Sequence, residues 1–330
     1  MNAFYWITAA VVTLAGVGIM GAGAGVHAKE NADPLPEETT QFEEITALRV
    51  DLSHARFTCT ADKNTKDVSV TVRNAKKSLE INDESGTLTI KDEQRGFRFF
   101  DFGSWFNEPL TEVEVTIPQG QVFTLTEIGL GSGDGSEIKG LQTETLELDM
   151  ASGSLAARDV DVLKSCTVNL ASGTMSVNDF TVAGDLTGHM GSGELRLDSG
   201  TVSAMTMECA SGLQVYDHME VLGALRIETA SGTLQSTDLT AGGMTRLDLA
   251  SGDVNMMNFT PGNETMVKFA SGDLDISLTG AQENYTFDCS NTSGSTTIGK
   301  QSGKQLTVQG GEKHFTSEGA SGDLNVQFVK

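Results

Sequence analysis

A tripeptide of the form Ala-Ser-Gly returns about every 20 residues through the second half of the chain, and a fixed period of that length confines the fold to a stack of like units. Its serines are Ser132, Ser152, Ser172, Ser192, Ser211, Ser231, Ser251 and Ser271, followed at wider spacing by Ser293 and Ser321. Positions two, four and six before the serine are mostly apolar, as in Leu146, Leu148 and Met150, or Cys166, Val168 and Leu170. Positions three and five after it are apolar too: Leu155 and Ala157, Met175 and Val177, Leu195 and Leu197, Leu274 and Ile276. Spacing of two is that of a strand with one buried face. Seven residues after the serine stands Asp159, Asp179, Asp238 or Asn258, each followed by an apolar residue, Val160, Phe180, Leu239 or Phe259. That pattern describes a second corner leading into a third side.

The period therefore predicts an all-β fold, a parallel β-helix (solenoid) whose coils stack about 4.8 Å apart. One coil cannot bury its inner face alone. About five apolar side chains per coil, at roughly 1.5–3 kcal/mol each, make an adequate core despite only 6% aromatic residues. The glycine after each serine supplies the positive φ of a sharp corner, and the alanine or glycine before it is expected to suit a tight interior. The steps of 19 residues from Ser192, 22 from Ser271 and 28 from Ser293 predict altered loops outside the stack, with the last copies forming a terminal cap.

Serines in such a row are corner residues and not nucleophiles. No Gly-x-Ser-x-Gly elbow frames them and no histidine recurs beside them. The five histidines are scattered, and no His-Glu-x-x-His pair is present. The run Gly131 to Ser136 lacks a lysine after its glycines and falls on the corner register, which argues against a phosphate loop. No cofactor is expected. Weak Ca²⁺ between Asp253 and Asp273, on consecutive coils, is the one ion candidate, against the stronger expectation of solvated turn residues. Arg226 and Arg246 share one outward register beside Glu228 and Asp248 and predict a surface charge row; Arg158 and Arg196 lie elsewhere in the coils.

With 45 acidic and 22 basic residues, a formal charge of −23 excludes nucleic acid as a partner, which needs basic patches. The N-terminus is apolar from Ala3 to Val26, about 36 Å as a helix and enough to span a bilayer core. No Lys or Arg precedes it and it is long for a signal peptide, so an uncleaved anchor is favoured over cleavage near Val26-His27-Ala28. Residues 1–28 are thus an anchor or signal peptide, 29–42 a Pro-containing acidic linker, 43–120 an N-terminal β segment and 121–330 the β-helix repeats. The expected location is the cell membrane, single-pass with the C-terminal domain outside; the alternative is secretion. Cys166, Cys209 and Cys289 fall on inward positions and are expected to be buried thiols, not disulfides. Cys59 has no legible partner.

Residues 43–120 carry strands without the serine ladder: Ile45 to Leu52, Val68 to Val72, Leu88 to Ile90, and Val113-Glu114-Val115-Thr116-Ile117-Pro118. Between them, Gly96 to Phe106 concentrates aromatic residues: Phe97, Phe99, Phe100, Phe102, Trp105 and Phe106. They make either an exposed contact surface or, the stronger expectation, a hairpin capping the open end of the helix.

The ordered set Gly86-Thr87-Leu88-Thr89-Ile90, Val113 to Pro118, and the repeated apolar-x-apolar-x-x-Ser-Gly-x-Leu-x-Val ladder resembles a family of exported bacterial proteins labelled "putative adhesins", built on a domain of unknown function. The resemblance covers residues 43–330. It implies a right-handed β-helix on the outer face of a membrane, a link to cell-envelope stress, and no catalytic residues to carry over. The expected function is a non-enzymatic cell-surface scaffold whose partner is an envelope component or surface protein. The alternative is a carbohydrate-active β-helix enzyme, which would need acids clustered on adjacent coils.

Overall fold

The structure is a computed structural model that describes residues 37–75, 79–92 and 110–329. The expected N-terminal span and the aromatic residues Phe97, Phe99, Phe100, Phe102, Trp105 and Phe106 lie outside the described residues. Among those described, no helix is long and apolar enough to cross a membrane, and the one helical element is the 3-10 turn Gln282–Asn284.

Parallel strands stack coil on coil, in register along the serine ladder. Ser132 pairs with Ser152, Met175 lies between Leu155 and Leu195, and Leu234, Val254 and Leu274 follow one another in successive coils. The apolar residues of these columns are buried, as are Leu146, Leu148 and Met150, and Val160, Phe180, Leu239 and Phe259 after the second corner. The two-residue alternation therefore forms one continuous interior along the stack. Several inward positions break the apolar rule: Thr229, Ser236, Thr245 and Thr265 are buried, and so is the longer Gln214. Gln214 replaces leucine three residues after Ser211 and is buried, with its Nε2 donating to Thr229 Oγ1 at 3.0 Å and its Oε1 accepting from the Tyr216 hydroxyl at 2.6 Å. A buried amide is tolerated there because those partners meet it inside.

All four cysteines are buried and free. Burial pushes the thiols of Cys59 and Cys166 up to about 12, and that of Cys289 to about 11.

The corners explain the repeat in more detail than periodicity does. Gly153, Gly173, Gly272 and Gly322 do have the positive φ expected of them. Gly232 and Gly252 do not have it, yet they are equally constrained. A Cβ on Gly252 would come 2.1 Å from the carbonyl oxygen of Gly232, and one on Gly232 would come 2.6 Å from that of Gly212. Glycine stacks on glycine because successive backbones approach too closely for any side chain. At the second corner Asp159, Asp179, Ser199, His218, Asp238 and Asn258 share a left-handed φ of 52–56°. Asp and Asn tolerate that conformation best; Ser199 and His218 occupy the same corner without the Asp/Asn signature. The 19-residue step drops its residue at the third corner, where the register shifts after Val182.

The alanine before each serine departs from expectation. Ala171, Ala210, Ala230, Ala250, Ala270 and Ala320 are exposed, not interior. Their methyl groups face solvent in a strip that runs from coil to coil.

At both ends the order of coils in space differs from the order in sequence. Strand Ala47–Asp62 pairs with Leu125–Lys139 on one side and with Thr87–Asp92 and Thr111–Pro118 on the other. The first coil in sequence is thus the second in space. At the other end, the last coil, Lys313–Gly319 and Leu324–Val329, lies between the Ser271 coil and the Ser293 coil. Antiparallel strands then close each end: Val68–Arg73 and Leu79–Glu84 at the first, Gln301–Gly303 and Gln305–Val308 at the second. Residues 43–62, read as preceding the repeats, are a full member of the stack.

Candidate binding groove

The exposed alanine strip is the floor of an open groove of about 1050 Å³. From Ala171 through Gly191, Ala210, Ala230, Ala250 and Ala270 to Ala320 it crosses seven rungs, about 29 Å over six strand spacings. Side chains three residues before each serine make one wall, and strand alternation turns them outward. In spatial order they are Asn169, His189, Glu208, Glu228, Asp248, Lys268 and Glu318, consecutive register partners.

The wall is held by ladder contacts. Asn169 Nδ2 donates to Asp149 Oδ1 at 2.6 Å, and His189 Nδ1 meets Asn169 Oδ1 at 3.1 Å. His189 Nε2 lies 3.9 Å from Glu208, and Lys268 Nζ lies 2.9 Å from Glu318. Arg226 pairs with Glu228, and Arg246 with Asp248 through two nitrogens. Hydrogen bonding to Asp248 raises the Arg246 pKa. The two arginines are neighbours in register, as expected of a charge row, and each is committed to a carboxylate on its own strand. Such pairs are exposed and worth little stability, but they fix the wall's side chains in place.

Three other features bear on chemistry. Ser132 Oγ lies 2.9 Å from His54 Nδ1, a serine–histidine contact hidden in the sequence by 78 residues. His54 occupies the ladder position of the preceding coil, and Ser132 Oγ also donates to the Ser53 carbonyl at 3.2 Å. The same bond recurs from Ser152 to Gly131, Ser172 to Ala151 and Ser321 to Ala270. It is a rung contact, and among the described residues no acid is bonded to His54 to orient it as a triad needs.

The aspartates after the corner form a second ladder. Asp253 Oδ1 accepts the Asp273 N–H at 3.1 Å, Asp273 Oδ1 accepts the Asp323 N–H at 3.2 Å, and Asp323 Oδ1 accepts the N–H and hydroxyl of Ser295, both at 2.8 Å. The bonds from Ser295 lower the Asp323 pKa. Asp253 and Asp273 thus spend carboxylate oxygens on backbone donors. Among the described residues no group of three or more His, Cys, Asp or Glu is arranged to hold a metal.

Glu147 is the carboxyl most suggestive of acid–base chemistry. Its pKa is raised, chiefly by desolvation and then by Asp149 and Glu127. It lies on the outward face ahead of the groove, whose lining begins at Asn169, and Glu127 is ion-paired to Arg49 at 2.9 Å.

Comparison with known proteins gives a family and little detail. No curated protein matches the chain. Among solved structures, a "putative lipid binding protein" from Parabacteroides distasonis is 14% identical, with 89% of this chain and 97% of that one covered and a TM-score of 0.38. A "putative adhesin" from the same organism is 12% identical, covering 89% and 96%, with a TM-score of 0.27. A "putative cell adhesion protein" from Clostridium sporogenes is 9% identical, covering 90% and 100%, with a TM-score of 0.21. The family model "Toastrack DUF4097" matches residues 45–327, from the first strand of the inserted N-terminal coil to the last strand of the C-terminal one. The stacked coils, the serine–glycine corners and this match agree, and the chain belongs to the Toastrack DUF4097 family.

Proposed function

We propose that the protein is a non-enzymatic scaffold of the cell surface that binds an envelope component along the alanine-floored groove. The coils wind right-handed in this reading, as crossovers between parallel strands almost always do. Residues 1–28 anchor the chain, with the stack outside the membrane; secretion after cleavage is the alternative. The observation that carries the reading is the groove itself: an elongated concave surface, small-residue floor and pinned polar wall, suited to an extended ligand laid across successive coils. An enzymatic reading, as a carbohydrate-active β-helix, rests on the grouping of Glu147 with Glu127 of the adjacent coil and with Asp149 on its own strand; desolvation, and then these charges, raise the Glu147 pKa.

The test is binding of the full chain to whole envelope fractions, compared with the double variant Ala230→Trp, Ala250→Trp. Both positions are exposed, so the fold should persist, as checked by circular dichroism and Tm. Loss of binding with an unchanged Tm supports the groove; unchanged binding overturns it. Release of new chain ends from pectin- or glucan-type polymers, abolished by Glu147→Gln, would support the enzyme instead.

A further inference from the structure

We propose that the C-terminal coil is a clasp: it inserts last, and it holds the preceding coil and the end cap on the stack so that all three open as one unit. In a stack whose order follows the sequence, the last coil is outermost and frays first. Here it is an interior layer. Glu264–Ser271 pairs with one edge of Lys313–Gly319 and Tyr285–Asn291 with the other. Leu324–Val329 is likewise flanked by Leu274–Thr279 and Thr296–Ile298.

Side chains tie the clasp on both sides. Towards the stack, Glu318 meets Lys268 at 2.9 Å and Asn325 Nδ2 donates to Asp275 Oδ1 at 3.0 Å. Towards the end coil, Asn291 Nδ2 donates to the Gly322 carbonyl at 2.7 Å, and the rings of Phe315 and Phe287 lie 5.4 Å apart. Among the described residues, the strand partners of the Ser293 coil are the clasp and the cap strands alone. Residues 285–308 precede the clasp in the chain, so they have no rung to stack on until residues 313–329 are in place. Closing this end is therefore the final event, and opening the clasp releases the end coil with it.

The test is hydrogen exchange on the full chain carrying Lys268→Cys and Glu318→Cys. These positions are register partners, about 4.8 Å apart and within reach of a disulfide, while the native thiols are buried. The expected result is that oxidation slows exchange about tenfold or more in both 313–329 and 285–298, although neither new cysteine lies in 285–298. A control disulfide at Thr206→Cys, Arg226→Cys, partners in the middle of the stack, should leave both segments unchanged. Slowing confined to 313–329 overturns the clasp. So does exchange of both segments only with the whole fold, before and after oxidation, because the end would then have no opening of its own.

Discussion

The middle of the stack and its C-terminal end use the same coil, with the same corners and the same inward columns, yet they are assembled differently. Between Ser132 and Ser271 each coil lies on the one before it in sequence. Beyond Ser271 the next coil in sequence is displaced by one layer, and the chain returns to fill the gap. A regular coil carries exposed edges above and below, and the middle coils satisfy each other. The ends have no such neighbours. Inserting the coil of residues 313–329 as the penultimate layer pairs both of its edges, and the antiparallel strands beyond it close edges that would otherwise offer themselves to other chains.

The sharpest way to break the comparison is to remove one buried ring from each region. Phe315→Ala in the clasp and Phe259→Ala in the middle, both almost fully buried, should each cost about 3–5 kcal/mol in urea unfolding. They should differ in hydrogen exchange. The first should free residues 285–298 as a block, and the second should loosen only adjoining coils. Equal patterns would erase the distinction between the regions.

A smaller effect separates the two reasons for corner glycines. Gly252→Ala puts a methyl group against the Gly232 carbonyl and should cost about 1–3 kcal/mol by overpacking, with φ playing no part. Gly120, at a φ of +81° with open space around it, should lose only about 1 kcal/mol on change to alanine. The order of their urea midpoints tests this.

The smallest effect concerns pH. His218 takes the left-handed corner between two aspartates, with its Nδ1 3.0 Å from Asp198 and its Nε2 3.7 Å from Asp238. The bond to Asp198 raises its pKa; desolvation opposes the shift, and the charges of Asp198, Asp238 and Asp217 add to it. A raised histidine pKa stabilises the folded state fully below the ordinary value, about 6.5, and that contribution fades as pH rises through the folded-state value. His218→Asn, which keeps a residue suited to the corner, should remove this part of the pH dependence. Parallel stability–pH curves for the two proteins would show that the aspartates do not hold the imidazolium.

Much of the coil was legible because the inward columns are mostly apolar: Leu155, Met175 and Leu195 announce themselves at the same offset, with Gln214 the interruption that follows them. Asp159 and Asn258 marked the second corner in the same way, whereas Ser199 and His218 carried no residue-type signal and were found only by their φ. The alanine column was misread as interior. A small residue is compatible with a crowded core or with a concave surface, and only the backbone path distinguishes them. The His54–Ser132 contact and the groove wall join residues separated by whole coils, so no local window contains them.

The sequence by itself determined the coil: its length, its three sides, its inward face and the glycine at its corner, since each follows from alternation and sterics within about 20 residues. The order in which coils stack at the two ends, and with it the exposed groove from Ala171 to Ala320, was decided by the tertiary structure. Every coil offers nearly the same apolar columns and backbone edges to its neighbour, so the periodic pattern is satisfied by several orders. Only contacts between particular coils, such as Asp323 with Ser295 and Phe315 with Phe287, select one.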